Sequence, residues 1–288
     1  MSSTARVAAQ AKINLFLRIL AREESGYHSL ETLFQRIDLA DDVVVRVGGS
    51  TRSLDCAGPA MPSSGLGPVE KNLAFRAAEA YAQATGWPSG FQIEVEKRIP
   101  VGAGLGGGSA DAGAVLRALD ALSPRPLGEA KLLELATPLG ADVPFLTSSS
   151  VLSLAWGRGE RMLALAALAS RHVLLIVPDF AVRTADAYKW LSERRGDRAV
   201  RAVSLSVAAL TTRANVDALA HNDFEAVIGE RDPSVSQIVR DLRGRGAAVA
   251  MLSGSGSAVF GLFDADVAAS GQEILTRTSE RVAEISLD

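Results

Sequence analysis

The sequence predicts an α+β protein built as two domains, and three observations carry that expectation. The 288 residues, 48% of them hydrophobic and 22% charged, suffice for two modest cores. In the first half an alternating apolar run, Phe91 to Val95, leads into a glycine-rich loop. An alanine- and leucine-rich run, Ala110 to Leu122, follows the loop, so the stretch reads as strand, loop and helix. In the second half, signals for helix, strand, strand, helix and strand alternate as in a ferredoxin-like sandwich. The division is expected at residue 160, giving domains 1–160 and 161–288.

Taken in order, Arg6 to Leu20 is rich in Val, Ile, Leu and Phe and predicts a strand. Ser29 to Ile37 and Asp42 to Val47 predict two more, joined by a turn at Leu39-Ala40-Asp41. Gly48 to Pro68 is rich in Gly, Ser and Pro and predicts a surface loop, with Cys56 in it and no role for that thiol. Leu73 to Ala84 predicts a helix that Asn72 can cap. Glu129 to Ala136 predicts another helix, and Gly157-Arg158-Gly159-Glu160 a turn. His172 to Pro178 predicts a strand and Thr184 to Glu193 a helix with Thr184 at its N-cap. His221-Asn222-Asp223-Phe224-Glu225 reads as a helix cap, and Val235 to Arg243 as a helix. Two strands, Ala247 to Leu252 and Ala258 to Leu262, flank a second glycine loop, Ser253-Gly254-Ser255-Gly256-Ser257. A last helix over Ala265 to Thr278 and a final strand over Val282 to Ile285 complete the expectation.

Composition excludes several functions. A net charge of −3 and a pI near 5.7 argue against a general nucleic-acid binder, which carries a basic excess. One cysteine rules out an internal disulfide and a cysteine-based metal cluster. No apolar run reaches the length of a membrane span, and Met1 to Ala8 lacks the apolar core of a signal peptide. A cytoplasmic enzyme acting on a small molecule is the expectation, with no nucleic-acid or membrane partner, as a monomer or weak homodimer.

The chemistry concentrates at the first glycine loop. Five of the eight residues from Gly102 to Ser109 are glycine. Glycine admits positive φ and lets a ligand approach the backbone. The helix that follows offers unpaired N–H groups and a positive dipole end, which together suit phosphate. No Gly-Lys-Ser/Thr closes the loop, so it is not a Walker A motif. Gly102-Ala103-Gly104-Leu105-Gly106-Gly107 fits the dinucleotide fingerprint, but the helix Glu129 to Ala136 stands where that unit needs a strand. A glycine turn without a ligand is the alternative.

Two further clusters stand out near the N-terminus. Lys12 and Asn14 are two apart and point to one face of a strand, where polar groups amid apolar ones need partners. Gly26-Tyr27-His28 places an aromatic face beside a ring with a donor and an acceptor, which suits a nucleobase.

Pro100-Val101-Gly102-Ala103-Gly104-Leu105-Gly106, followed by small residues, resembles the central motif of the GHMP kinases. Ala11-Lys12-Ile13-Asn14-Leu15-Phe16-Leu17 with Gly26-Tyr27-His28, and Gly140-Ala141-Asp142-Val143-Pro144, resemble further signatures of one branch, in the same order. That branch phosphorylates a cytidine-diphosphate ester of methylerythritol in non-mevalonate isoprenoid synthesis. The resemblance spans Ala11 to Phe260. It implies the two-domain GHMP kinase fold, with an N-terminal domain like that of ribosomal protein S5 and a ferredoxin-like C-terminal domain, and a site in the cleft between them. It implies ATP and Mg²⁺ as cofactors, with no residue assigned as a metal ligand.

By the same resemblance, Lys12 and Asp142 are catalytic. Asn72, Lys97, Pro100, Gly102, Gly104, Leu105, Gly106, Gly107, Gly108 and Ser109 surround ATP. Asn14, Tyr27, His28, Asp142 and Thr184 hold the acceptor. For Asn72 the helix cap, for Lys97 a solvated strand end, and for Thr184 the N-cap stand as alternatives. The chain departs from the branch at Gln10, where proline is usual, and at Ala110, where a second serine is usual. It departs again at Thr147-Ser148-Ser149-Ser150, where glycine is usual. The second glycine loop is expected to fold against the first. A GHMP kinase for another acceptor and a non-catalytic nucleotide-binding protein are the competing functions.

Overall fold

A computed structural model describes residues 3–22, 28–196 and 205–288. Its first sheet is built around two long antiparallel strands, β1 (Thr4–Arg22) and β2 (His28–Val47). β3 (Arg52–Ala57) and β4 (Phe91–Glu96) pair in parallel, and β4 lies antiparallel to β2. The helix α1 (Leu73–Thr85) connects them, starting where the Asn72 side chain accepts from Ala74 N at 2.9 Å and ending at Gly86 in the left-handed region. Beyond the first loop come α2 (Gly107–Leu122), α3 (Glu129–Ala136) and α4 (Val143–Thr147). A hairpin of β5 (Leu152–Gly157) and β6 (Arg161–Ala164) returns to pair with β2.

The second sheet has strand order β10-β7-β9-β8, all antiparallel. It comprises β7 (His172–Ile176), β8 (Val249–Leu252), β9 (Val259–Phe263) and β10 (Ile274–Arg277). The helices α5 (Thr184–Arg195), α6 (Arg213–Ala218), α7 (Asp223–Arg231) and α8 (Pro233–Gly244) belong to this half. The chain then returns to the first sheet as β11 (Ile285–Leu287), against Ala5–Val7 of β1. The expected α+β class, with a helix-covered sheet in each half, is what the chain forms.

The β1–β2 ribbon belongs to both cores. Ile13, Phe16 and Phe34 lie in the larger one. Leu17, Ile19 and Leu30, toward the ribbon tip, pack with Leu174, Phe224 and Leu252 in the smaller one. Leu17 N also donates to His221 O at 2.7 Å. A site set in the ribbon is therefore fixed by both halves.

Several expectations need correction. No turn occurs at Leu39-Ala40-Asp41: β2 is continuous there, and the buried Asp41 side chain accepts from Arg98 N and Ile99 N, in the segment that follows β4, instead of closing a turn of its own. The expected loop Gly48 to Pro68 contains β3, whose Leu54 and Cys56 alternate as half-buried positions on a sheet edge. No helix forms over Ala265 to Thr278. Gly271 is left-handed with φ 57°, and Ile274–Arg277 pairs with β7 instead. The final strand starts at Ile285 rather than Val282. The division expected after residue 160 cuts the β5–β6 hairpin, which Gly157 and Gly159 close with positive φ, so the first sheet runs on to Ala164. α2 begins at Gly107, ahead of Ala110, since Gly106 in the left-handed region serves as its N-cap.

Candidate active site

The two glycine loops clasp each other. Ser253 Oγ donates to Gly104 O at 3.0 Å, and Ala258 N donates to Ala103 O at 3.0 Å. Gly104 has φ +82°, and a Cβ there would stand 2.2 Å from Ser253 O, so the approach demands glycine. Asn222 holds the second loop from below: its Nδ2 donates to Leu252 O and Gly254 O, both at 2.8 Å. Its Oδ1 accepts from Phe224 N at 2.9 Å, so the expected helix cap is present as well.

The first loop leaves its outer face open. Ala110 N is the first α2 amide with a helical acceptor, Gly106 O, which leaves the earlier amides for another partner. Gly108 is exposed, and the nearest atom to a Cβ there is Leu73 Cδ1 at 3.9 Å. The start of α1, with Asn72, thus borders the open face of the first turn of α2. Asn72 caps α1, and its Nδ2 reaches Cys56 Sγ at 3.9 Å. Gly102 is exposed with φ +75° and Pro100 is half-buried. Leu105 is buried, and its carbonyl accepts from Lys12 N at 3.0 Å. Ser109 and Gly107 are half-buried in the first turn of α2.

Beneath this loop lies a buried charge cluster. Lys97 is 2% exposed, so it is not a solvated strand end. Its Nζ pairs with Asp41 and, at 2.6 Å, with Asp111 Oδ2. Asp41 Oδ1 also accepts from Arg98 N at 2.5 Å and Ile99 N at 2.8 Å, fixing the entry to the loop. A Cβ on Gly107 would lie 3.5 Å from Lys97 Nζ, so the ammonium sits directly behind the loop. Burial opposes the charge on Lys97, and the two carboxylates outweigh it and hold its pKa above the usual value.

Asp111 is pushed up to about 7, first by burial and then by Asp41, with Lys97 opposing. Such a carboxyl stabilises the fold fully below its ordinary value of 3.8, and that contribution is lost as pH rises through about 7. Wild-type melting temperature is therefore expected to fall from pH 4 to pH 7 relative to Asp111→Asn, roughly over the interval between those two values, as read by calorimetry. Parallel profiles for the two proteins would refute this.

Lys12 and Asp142 meet beside the loop. Two register shifts flank Lys12 in β1, one between Gln10 and Lys12 and one between Asn14 and Phe16, and they re-aim its side chain. Lys12 Nζ donates to Asn14 Oδ1 at 2.8 Å and Gly104 O at 3.0 Å, and stands 3.3 Å from Asp142 Oδ2. Asn14 Nδ2 donates to Thr32 Oγ1 at 2.8 Å, which in turn donates to Phe16 O at 2.7 Å. The Lys12 side chain is 4% exposed and that of Asp142 29%, so the pair opens to solvent on the carboxylate side. Asp142 stands at the N-cap of α4, yet its side chain makes no capping bond there.

A cavity of about 1340 Å³ lies against the segment that leads into Asp142, although neither Lys12 nor Asp142 itself lines it. Gly140 and Ala141 line it from the Asp142 side, Ser29 and Leu30 from β2, and Thr184 and Tyr188 from α5. Thr184 is not the N-cap: Arg183 is, and Thr184 Oγ1 lies 3.1 Å from Ser255 Oγ in the second loop. Tyr188 packs edge-on against Phe224, and burial followed by the charge of Asp142 pushes its phenol up to about 12. Tyr27 lies outside the described residues. The His28 backbone pairs with Arg22 at the start of β2, next to Ser29.

The structure places Lys12, Asn14, Asp142 and both glycine loops side by side. Sequence reasoning missed Asp41 and Thr32, which carry no local signal. It also missed the amide of Asn222, hidden behind a helix cap.

Comparison with known proteins shows the family. The profile of the GHMP kinases N terminal domain matches residues 72–150, and that of the GHMP kinases C terminal matches residues 206–280. A 4-diphosphocytidyl-2-C-methyl-D-erythritol kinase from Gloeobacter violaceus is 40% identical over 265 residues, covering 90% of this chain and 85% of that relative. One of the same description from Anaeromyxobacter sp. (strain K) is 41% identical over 270 residues, with 91% and 82% covered. A solved 4-(cytidine 5'-diphospho)-2C-methyl-D-erythritol kinase superposes with a TM-score of 0.75 at 34% identity, covering 95% of this chain and 99% of that one. A homoserine kinase from Cytophaga hutchinsonii, 17% identical with a TM-score of 0.69, shares the fold.

Proposed function

The chain belongs to the GHMP kinases, and on that premise we propose how it transfers the γ-phosphoryl group of ATP to the 2-hydroxyl of 4-diphosphocytidyl-2-C-methyl-D-erythritol. The observation that carries the mechanism is the Lys12–Asp142 pair, 3.3 Å apart at the mouth of a loop whose amides are open. Phosphoryl transfer needs positioning and charge neutralisation more than covalent chemistry. The amides of Gly106 to Ser109, with the dipole of α2, bind the phosphates. Asp142 accepts or orients the proton of the acceptor hydroxyl. Lys12 offsets the negative charge that grows on that oxygen, and Asn14 fixes the ammonium for the task. Lys97 acts from beneath, holding the loop.

Adenine lies between the start of α1, at Asn72, and the open side of Gly108. The cytidyl end occupies the large cavity, with Tyr27 packing on the base, His28 bonding its edge and Thr184 at the wall. The position of Ser29 on the wall of that cavity supports this.

Mg²⁺ enters with the nucleotide. Such an ion keeps several waters and is held by one or two protein groups together with phosphate oxygens. The hydroxyl of Ser109 is the loop donor available to it, since Ala110 offers none. When bound, the ion neutralises phosphate charge. Among the described residues no helix is long and apolar enough to cross a membrane. A cytoplasmic monomer or weak homodimer is the state that fits an enzyme drawing on cellular ATP.

The test compares ATP consumption with three acceptors: the cytidyl compound, homoserine and mevalonate. The cytidyl compound is expected to give kcat/KM at least ~10³-fold above the others, because a site built to bond a base rejects ligands that lack it. Equal turnover of homoserine or mevalonate would overturn the acceptor assignment.

A further inference from the structure

We propose that Arg36 is a positioning residue for the transfer step, gripping the C-terminal end of α4 and thereby setting the Asp142 carboxylate, at the other end of that helix, against Lys12. The proposal rests on the role given above to Asp142.

Arg36 is among the largest fully buried side chains, and its acceptors are carbonyls. One guanidinium nitrogen, Nη2, donates to Phe145 O at 2.8 Å and Ser148 O at 2.9 Å, and Nε donates to Ser150 O at 2.9 Å. These carbonyls lie at and just beyond the last turn of α4, where a cation is favoured by the helix dipole. Arg36 N also donates to Val151 O at 2.9 Å, so main chain and side chain grip the same segment. Burial lowers the pKa to about 9, with Arg117 adding to that effect, which leaves the group charged at neutral pH.

The register makes this more than a local cap. Lys12 and Arg36 are direct partners in the β1–β2 ladder, so their side chains rise from one face of the sheet. Lys12 reaches the N-terminal end of α4 at Asp142, and Arg36 reaches its C-terminal end. A helix of five residues spans only about 7 Å. A stacked series runs alongside. Lys12 Nζ lies 5.6 Å from the Phe34 ring, Phe34 stacks on Phe145 at 5.0 Å, and the Arg36 guanidinium lies 5.1 Å from Phe145. Two neighbouring positions of one ribbon thus hold both ends of the helix that carries the carboxylate.

The serine run Thr147 to Ser150, a departure from the branch noted above, fits this role. Thr147 Oγ1 donates to Val143 O and Ser148 Oγ to Phe145 O, both at 2.8 Å, which stiffens the turn whose carbonyls face Arg36.

The test uses Arg36→Lys, which keeps the charge but lacks the planar fork. Arg36→Met serves as a second variant. Activity is measured per folded enzyme, with amide hydrogen exchange of Leu146 and Ser148 in the absence of substrate. Arg36→Lys is expected to speed that exchange and to lower kcat roughly 10–100-fold with KM for ATP little changed, the size expected for a misplacement of about 1 Å. Placed on Asp142→Asn, it is expected to add less than about a further twofold loss, because both act on one carboxylate. A kcat near wild type in folded Arg36→Lys, or a full multiplicative loss on the Asp142→Asn background, overturns the proposal. A purely structural role predicts lower melting temperatures for both Arg36 variants with kcat unchanged. Near-wild-type kcat for Asp142→Asn alone overturns the role of Asp142, an outcome read separately from the Arg36 arms.

Discussion

Asp142→Asn is expected to lower kcat by roughly 10²–10⁴-fold, the usual worth of a positioned general base, with a much smaller change in KM. Asparagine keeps the size of the side chain and removes the charge and the proton acceptor. The fold should be little affected, because the Asp142 side chain caps nothing and is partly exposed. Lys12→Met is expected to fall in the same range, since the ammonium meets the same reacting oxygen. Lys12 is almost fully buried and bonds Asn14 and Gly104, so this variant should also melt earlier. Because the two groups serve one step, the double mutant should be little worse than the poorer single. Steady-state kinetics on the singles and the double, with circular dichroism on each, is the measurement. Multiplicative losses would mean that the two residues act in separate steps.

The second large effect is expected at Gly104, with Gly108 as its counterpart. Gly104→Ala would place a methyl 2.2 Å from Ser253 O in a left-handed backbone. Overpacking and strain together should cost about 2–5 kcal/mol. The second loop must then withdraw, which takes Ser253 Oγ away from the Gly104 carbonyl that Lys12 also uses, so activity should fall along with stability. Gly108→Ala should behave in the opposite way. Its methyl meets only Leu73 Cδ1 at 3.9 Å, and its backbone does not require glycine. Stability should hold or rise, while KM for ATP rises roughly tenfold or more, as for a lost charge-assisted bond worth about 1.5–3 kcal/mol. Thermal melting and ATP kinetics on both variants check this. A Gly108→Ala enzyme with unchanged ATP affinity would mean that the open face of the loop is not where the phosphates lie.

The legible parts of this chain were those written in contiguous residues. A run of glycines between an apolar strand and an alanine-rich helix needs nothing distant to be read, and neither does an Asp between Gly-Ala and Val-Pro. Lys12 and Asn14 were legible because a strand of period two puts them side by side, and the structure joins them at 2.8 Å.

Residues whose partners are remote in sequence stayed hidden. Asp41 looked like a turn residue, but its acceptors' donors, Arg98 N and Ile99 N, are 57 and 58 positions away. Arg36 bonds carbonyls 109 to 114 positions away, and nothing in its neighbours announces that. The alanines after Asp264 suggested a helix, but Val267 is the only apolar anchor there larger than alanine before Ile274, too little for a buried face. Cys56 was placed in a loop by the glycines and prolines around it, although Leu54 and Cys56 already carry the alternation of an edge strand.

The central claim is that the acceptor hydroxyl sits between Lys12 and Asp142 at the mouth of the first glycine loop. A crystal structure with the cytidyl acceptor and a non-hydrolysable ATP analogue tests it most directly. The expected result has the 2-hydroxyl oxygen within hydrogen-bond reach of both the Asp142 carboxylate and the Lys12 ammonium, roughly 2.6–3.2 Å, with the γ-phosphate on its far side. A hydroxyl bound away from this pair, with the phosphates off the amides of Gly106 to Ser109, would contradict the account.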